Sequence, residues 1–261
     1  MAQLMYDAMA AAGYERGFAR ISSHFIPFLL GAAGVTAGHR VLDVATGTGL
    51  AAEAARALVG SIGHVTAADI SAQMAERARE RLKAAPNATI QIEDGQALGL
   101  PDASFDAVIC SLGLMFFPDP ARGLGQFRRV LHNGGRAAVS VNTVPERSYN
   151  TRIHPIIARY EPSLAADAAR LFSLGNERTL GTLFAAEGFR DVKITTEKHA
   201  FGVGSFDEYF DHVERSWGSA GQVFVSLSPD TQRAVREDVR RDVGDAGGPI
   251  EVEVMFGSGQ K

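Results

Sequence analysis

Apolar positions along this chain switch between two spacings, and the switches divide it into elements. Tyr14, Phe18, Ile21, Phe25 and Phe28 recur at steps of three or four, so the first forty residues read as helix with one apolar face. `HRVLDVA` then reads as a strand, `GLAAEAARALVG` as a helix closed by Gly60, and `GHVTAADI` as a second strand. Ser71 is placed to cap the helix `AQMAERARERLKAA`, which Pro86 ends. `ATIQIEDG` gives a third strand, `LPDAS` a turn and `FDAVICSLG` a fourth strand. `PARGLGQFRRVL` gives a helix, `HNGG` a turn and `RAAVSVN` a fifth strand.

This alternation over residues 38–142 predicts βαβ units and a parallel sheet. Near-continuous apolar runs such as `AVIC` fit strands covered on both faces. Beyond Asn142 the pattern loosens into helices at `IHPIIARY`, `SLAADAARLFSL` and `TLGTLFAAEGF`, then a strand `DVKIT`. A further helical stretch leads to a last strand, `IEVEVMFGS`. No Pro/Gly/Ser-rich linker divides the chain, so one domain is expected.

Composition narrows the function classes. Hydrophobic residues make up 46% and charged residues 21% of 261, ordinary for a globular protein with a sizeable core. A net charge of -4 offers no bulk attraction for nucleic acid. The single Cys110 excludes an internal disulfide, and the 7 histidines show no HxxxH spacing, so no metal is expected. The opening `MAQLMYDAMAAAG` lacks a signal-peptide pattern, and `FIPFLLGAAGV` is too short to cross a bilayer. A cytoplasmic protein without stable membrane insertion is the expectation, and the sequon at Asn87 reads as chance.

The stretch `VLDVATGTGL` carries the chemistry. Gly47 and Gly49 form a GxG between strand and helix, and Asp69 ends the next strand twenty residues after Gly49. On spacing alone this fits a dinucleotide fingerprint, and bare backbone beside a ribose-binding acid serves any adenosine ligand. Asp43 separates the possibilities. An acid facing a diphosphate costs roughly 1–4 kcal/mol at 4 Å, whereas an ammonium or sulfonium gains from it. Asp94 ends the third strand, so three acids lie on one rim of the sheet, where open α/β folds bind ligands.

Four segments, `VLDVATGTG`, `ADISAQM`, `IEDGQALGLPDASFDAVICSLGLMFFPD` and `FRRVLHNGGRAAVSV`, resemble the class I S-adenosylmethionine-dependent methyltransferases. Within that family the similarity is to the ubiquinone/menaquinone-biosynthesis branch. The resemblance covers roughly residues 38–142, with a weaker echo in `GNERTLGTLFAAEGFRDVKI`. It implies a Rossmann-like fold: a seven-stranded, mostly parallel sheet with helices on both faces and an antiparallel last strand, for which `IEVEVMFGS` is the candidate. Residues 1–37 would form a helical lid, 38–142 the cofactor-binding core, and 143–261 acceptor-side helices and final strands.

The implied cofactor is S-adenosyl-L-methionine. Asp43 with Ala45, Thr46, Gly47, Thr48 and Gly49 would hold its methionine end, and Ser111 and Leu112 would face the same moiety. Asp69 would take the ribose hydroxyls, Ile70 and Met74 would pack on adenine, and Asp94, Gly95, Gln96 and Ala97 would set the adenine edge. The implied reaction is in-line O- or C-methylation of a small, fairly apolar molecule, driven by proximity and desolvation. No nucleic-acid partner is expected, and a homodimer stays open.

One departure bears on mechanism. Many relatives carry histidine where this chain has Leu114, Met115, Phe116 and Phe117, so no histidine base is available there. The apolar run serves either the core or a greasy acceptor pocket. His24, His154, His212, Tyr6, Tyr14 and Glu146 are alternative bases, none singled out, and residues 143–149 are expected to border the acceptor. The rival readings are an NAD-dependent oxidoreductase and a non-catalytic module that binds the same sulfonium cofactor.

Overall fold

The structure is a computed structural model that describes residues 8–149, 151–215 and 218–261, with side chains from Ala19 onward in the first helix. Its centre is a seven-stranded sheet in the order β3-β2-β1-β4-β5-β7-β6. β1 (Arg40–Val44), β2 (His64–Asp69), β3 (Ala88–Ile92), β4 (Phe105–Ser111) and β5 (Leu131–Asn142) pair in parallel. β7 (Gly248–Gln260) runs antiparallel between β5 and β6 (Arg190–Val203). The expected mostly parallel sheet with an antiparallel last strand is thus observed.

Strand residues alternate between two hydrophobic clusters, one on each face. Val41, Ala67, Ile109, Ala138 and Phe256 face α1 (Ala8–Ala32) and α2 (Leu50–Val59). Leu42, Val108, Cys110, Val139 and Met255 face α4 (Pro120–Val130) and α7 (Glu177–Ala186). This two-sided cover is what the near-continuous apolar strands require. α3 (Ala72–Leu82) joins β2 to β3, and its cap is the expected one, Ser71 Oγ accepting from the Met74 amide at 3.3 Å.

The first helix differs from its expected face. Ile21, Phe25, Ile26, Leu29 and Leu30 are buried, whereas Phe28 is 41% exposed. Steps of three and four allow more than one stripe, and contact with the sheet rotates the buried one toward Ile26 and Leu30. From Ala19 on, this stretch belongs to the core cluster; the side chains of Tyr14 and Phe18 lie outside the described residues.

Three boundaries also move. `HNGG`, expected as a turn, lies inside β5, whose pairing with β4 shifts register between Phe105 and Ala107, with Gly134 at φ +89. β6 runs to Val203, well past `DVKIT`, because it pairs with β7 along its whole length. The expected helix `SLAADAARLFSL` narrows to α6 (Ala165–Arg170) after a 3₁₀ turn, Pro162–Leu164. α5 (Ile153–Tyr160) precedes it, and α8 (Phe206–Glu214), α9 (Gly218–Ser226) and α10 (Pro229–Val243) fill the stretch between β6 and β7.

At the amino-terminal end of the sheet, one acid ties three strands. Asp106 accepts from the Arg40 amide at 2.6 Å and from His132 Nε2 at 2.6 Å. The opposite, carboxyl rim carries the acids singled out by sequence. No helix among the described residues is long and apolar enough to cross a membrane.

Candidate functional site

Asp43 is the fourth residue of β1 and points to the face covered by α1 and α2, in step with Val41. It is fully buried. Thr46 Oγ1 donates to its Oδ2 at 2.6 Å, while Oδ1 has no hydrogen-bond partner among the described residues. Burial pushes its carboxyl up to about 7 from 3.8; the Thr46 hydroxyl and the Ala52 amide oppose this, and the charge of Asp69 adds to it. A buried carboxylate with one idle oxygen is a site that a cation would relieve.

The turn after β1 is built for close approach. Ala45 holds φ 56, Gly47 φ 56 and Gly49 φ 86, three left-handed residues within five. The alanine stores strain of about 1–3 kcal/mol, a cost met mainly at ligand-binding turns. At Gly49 a Cβ would also come within 3.2 Å of Ala78 in α3, so α3 fixes the turn from behind. Arg81 of the same helix donates to the Thr48 carbonyl at 2.9 Å and pairs with Glu53 at 2.9 Å. Sequence reading missed Arg81, because a basic residue in `ERARERLK` looks like any solvated helix face. Thr48 Oγ1 is buried without a partner among the described residues.

Asp69, at the end of β2, accepts from the Gly47 amide at 2.8 Å and from the Ser71 amide at 2.9 Å, one on each oxygen. Its pKa is raised by burial and pulled back by those amides. Each oxygen keeps a second lone pair. Ile70 beside it is 53% exposed, an apolar side chain facing outward next to the acid, whereas Met74 is buried. Asp94 lies two residues past β3; its Oδ1 accepts from the Gln96 amide at 2.9 Å, and the Ala97 amide donates to the Asp94 carbonyl at 2.8 Å. Gly95 is forced by packing, since a Cβ there would come within 2.4 Å of Phe117.

Ser111 ends β4, and Leu112 takes φ 49 while its amide donates to the Ser140 carbonyl at 3.1 Å and to Ser140 Oγ at 2.9 Å. β4 and β5 therefore lock a second strained turn beside the first. The apolar run resolves toward packing: Leu114 and Met115 are buried, and Phe117 packs on Phe127 at 6.3 Å.

The four candidate bases whose side chains are described stand on separate elements. His24 on α1 stacks on His199 at 3.8 Å between ring centroids, and burial and His199 lower its pKa. Burial holds His154 on α5 and His212 on α8 at about 4, so both are neutral at pH 7. Glu146 is exposed on a 3₁₀ turn. Tyr6 and the side chain of Tyr14 lie outside the described residues.

A rim with two buried acids, Asp43 and Asp69, repels a diphosphate and favours a cation with ribose hydroxyls beside it. The unpartnered Oδ1 of Asp43 and the cradle at Gly47 and Gly49 therefore fit S-adenosylmethionine.

Known proteins agree with that chemistry. A family model described as "Methyltransferase domain" matches residues 42–139. An uncharacterized protein of Mycobacterium tuberculosis is 31% identical over 207 residues, 77% of this chain and 72% of that protein. A demethylmenaquinone methyltransferase of Clavibacter sepedonicus is 32% identical over 169 residues, 60% of this chain and 68% of that enzyme. Among solved structures, the phosphoethanolamine N-methyltransferase 2 of Haemonchus contortus with S-adenosylhomocysteine has a TM-score of 0.64. It is 18% identical, over 98% of this chain and 58% of that one, and so shows the fold.

Proposed function

We propose that this chain, which belongs to the class I S-adenosylmethionine-dependent methyltransferases of the ubiquinone/menaquinone branch, methylates a small, fairly apolar molecule on oxygen or carbon. The observation that carries the site assignment is Asp43, buried with one oxygen idle beside a strained glycine turn.

In this reading Asp43, the turn from Ala45 to Gly49, Ser111 and Leu112 hold the methionine end of the cofactor. Asp69 accepts from the ribose hydroxyls through its spare lone pairs. Ile70 gives adenine an apolar contact, with Met74 buried behind it. Asp94 takes the adenine amino group on Oδ2, which no described residue occupies, and Gly95, Gln96 and Ala97 present backbone to the ring edge. The chemistry available from S-adenosylmethionine when bound is a methyl on a sulfonium, an electrophile whose charge vanishes on transfer.

The protein's contribution is positional. The Ser140 lock on Leu112 and the Arg81 hold on Thr48 keep two walls of the site rigid. Holding donor and acceptor at attack distance can supply about 7–11 kcal/mol. Charge loss at the sulfonium favours a site that excludes water, and the buried floor under Asp43 provides one. No described side chain takes the place of a base, so the acceptors that fit best need little help in losing a proton. A relative from Cellvibrio japonicus, 38% identical over 144 residues, is by name a ubiquinone/menaquinone biosynthesis C-methyltransferase, which supports the C-methylation arm.

Incubation with methyl-labelled S-adenosylmethionine and a small-molecule extract tests the reading. Label in an organic-extractable small molecule is expected. Label confined to protein or nucleic acid, or consumption of NADH in its place, would overturn it.

A further inference from the structure

A second cleft lies between α5 and α10. It holds about 550 Å³, within the range of sites that take a drug-sized ligand, and none of its lining residues is assigned to the cofactor. Its walls are the 3₁₀ turn Pro145–Arg147, one face of α5 and the carboxyl-terminal half of α10. Side chains brace these walls against one another. Tyr160 Oη donates to Asp238 Oδ2 at 2.8 Å, and Arg152 pairs with Asp242 at 3.1 Å and donates to the Glu146 carbonyl at 3.1 Å. The side chains of Asp238 and Arg152 are only 11% and 12% exposed, so the braces are set into the protein. Pro155 and Ile156 add an apolar patch to the lining.

The charges of the cleft do not cancel pair by pair. Arg152 has Asp242, but Asp238 serves two guanidinium groups. Arg241 pairs with it directly, while Arg159 stands 3.7 Å away, beyond hydrogen-bond distance, and has no hydrogen bond among the described residues. Glu146, on the 3₁₀ wall, presents a carboxylate with no ion-pair or hydrogen-bond partner among the described residues. One surplus cation and one surplus anion therefore line the same cleft without meeting. On a flat surface water would screen both, whereas concave low-dielectric walls focus their fields on whatever enters. A simple anion meets Arg159 but is repelled by Glu146, and a simple cation faces the reverse. A ligand that carries both charges satisfies both.

We propose that this cleft binds a zwitterionic small molecule with an aliphatic body, its carboxylate on Arg159, its ammonium on Glu146 and its body on Pro155 and Ile156. The guanidinium presents paired N–H donors that match a carboxylate fork to fork, and the Glu146 oxygens accept from an ammonium. The site is additional to the methyltransferase reading and does not rest on it.

The test is isothermal titration of L-leucyl-L-leucine beside two relatives that each lack one charge, N-acetyl-L-leucyl-L-leucine and L-leucyl-L-leucinamide. No cofactor is added, so the outcome is independent of the cofactor site. Wild type should bind the dipeptide saturably and each relative about fivefold more weakly, the upper range for an exposed ion pair. Glu146→Gln should no longer distinguish the dipeptide from its acetylated form, while still preferring it to the amide. Arg159→Gln should no longer distinguish the dipeptide from the amide, while still preferring it to the acetylated form. Both residues are exposed, so the substitutions leave the core untouched. No saturable binding to wild type, equal affinity for the three compounds, or variants that keep the discrimination of wild type would overturn the proposal.

Discussion

Replacing Asp43 by asparagine should make the ligand-free protein more stable at alkaline pH while removing its use for the cofactor. The folded state holds this carboxyl at about 7 against 3.8 for the free group. A raised pKa means that the stability is fully present below pH 3.8 and is lost as pH rises toward 7. Integrating between those two values, the penalty grows by on the order of 2–3 kcal/mol from pH 5 to pH 8.

Asparagine has the same shape and no charge, so its stability carries none of this dependence. The Thr46 hydroxyl can still donate to the amide oxygen, while the new NH₂ faces the idle position and costs about 1–3 kcal/mol at every pH. The observable is therefore a difference of differences. Urea unfolding of both proteins at pH 5 and pH 8 should show the variant gaining 2–3 kcal/mol on wild type as pH rises, roughly the penalty lifted. Other titrating groups cancel in the subtraction. A gap that stays constant across the two pH values would refute the claim that Asp43 is buried and strained by its own charge.

Asp69→Ala should weaken S-adenosylmethionine binding by about tenfold or more, on the order of 1.5–3 kcal/mol for a charge-assisted hydrogen bond; unchanged affinity by calorimetry would remove the ribose assignment. His132→Gln tests the tie at the other end of the sheet. Hydrogen bonds to Asp106 and to the Asn133 carbonyl raise the His132 pKa, so its stabilisation is present below pH 6.5 and lost as pH climbs through the raised value. The ring is 43% exposed, which screens the pair to below about 1 kcal/mol. The variant should be slightly less stable than wild type at pH 5.5 and equal to it at pH 9; a deficit that grows with pH would contradict the assignment.

The sheet was legible because its central strands are apolar on both faces, which fixes both their existence and their cover. The acids were legible for a related reason: a charge such as Asp43 inside an apolar run has no packing role. What the pattern could not show depends on partners distant in sequence. β6 is an edge strand whose Lys193, Thr195, Glu197 and Lys198 carry little alternation, and only the pairing with β7 defines its length. The glycine pair in `HNGG` suits a turn or a bulge equally, and contact with β4 decides. The bond from Tyr160 to Asp238 joins residues 78 apart, and no local spacing announces it.

The most direct test is titration of S-adenosylmethionine into wild type and Asp43→Asn at pH 5.5 and pH 7. With the carboxyl at about 7, its ionised fraction rises from about 3% to about half between those pH values. Wild type should therefore bind about fifteenfold more tightly at pH 7, releasing a proton as it does, and the variant should bind weakly and equally at both. Equal affinity of wild type at the two pH values, or a variant that binds as tightly as wild type, would contradict a site organised around a buried anion.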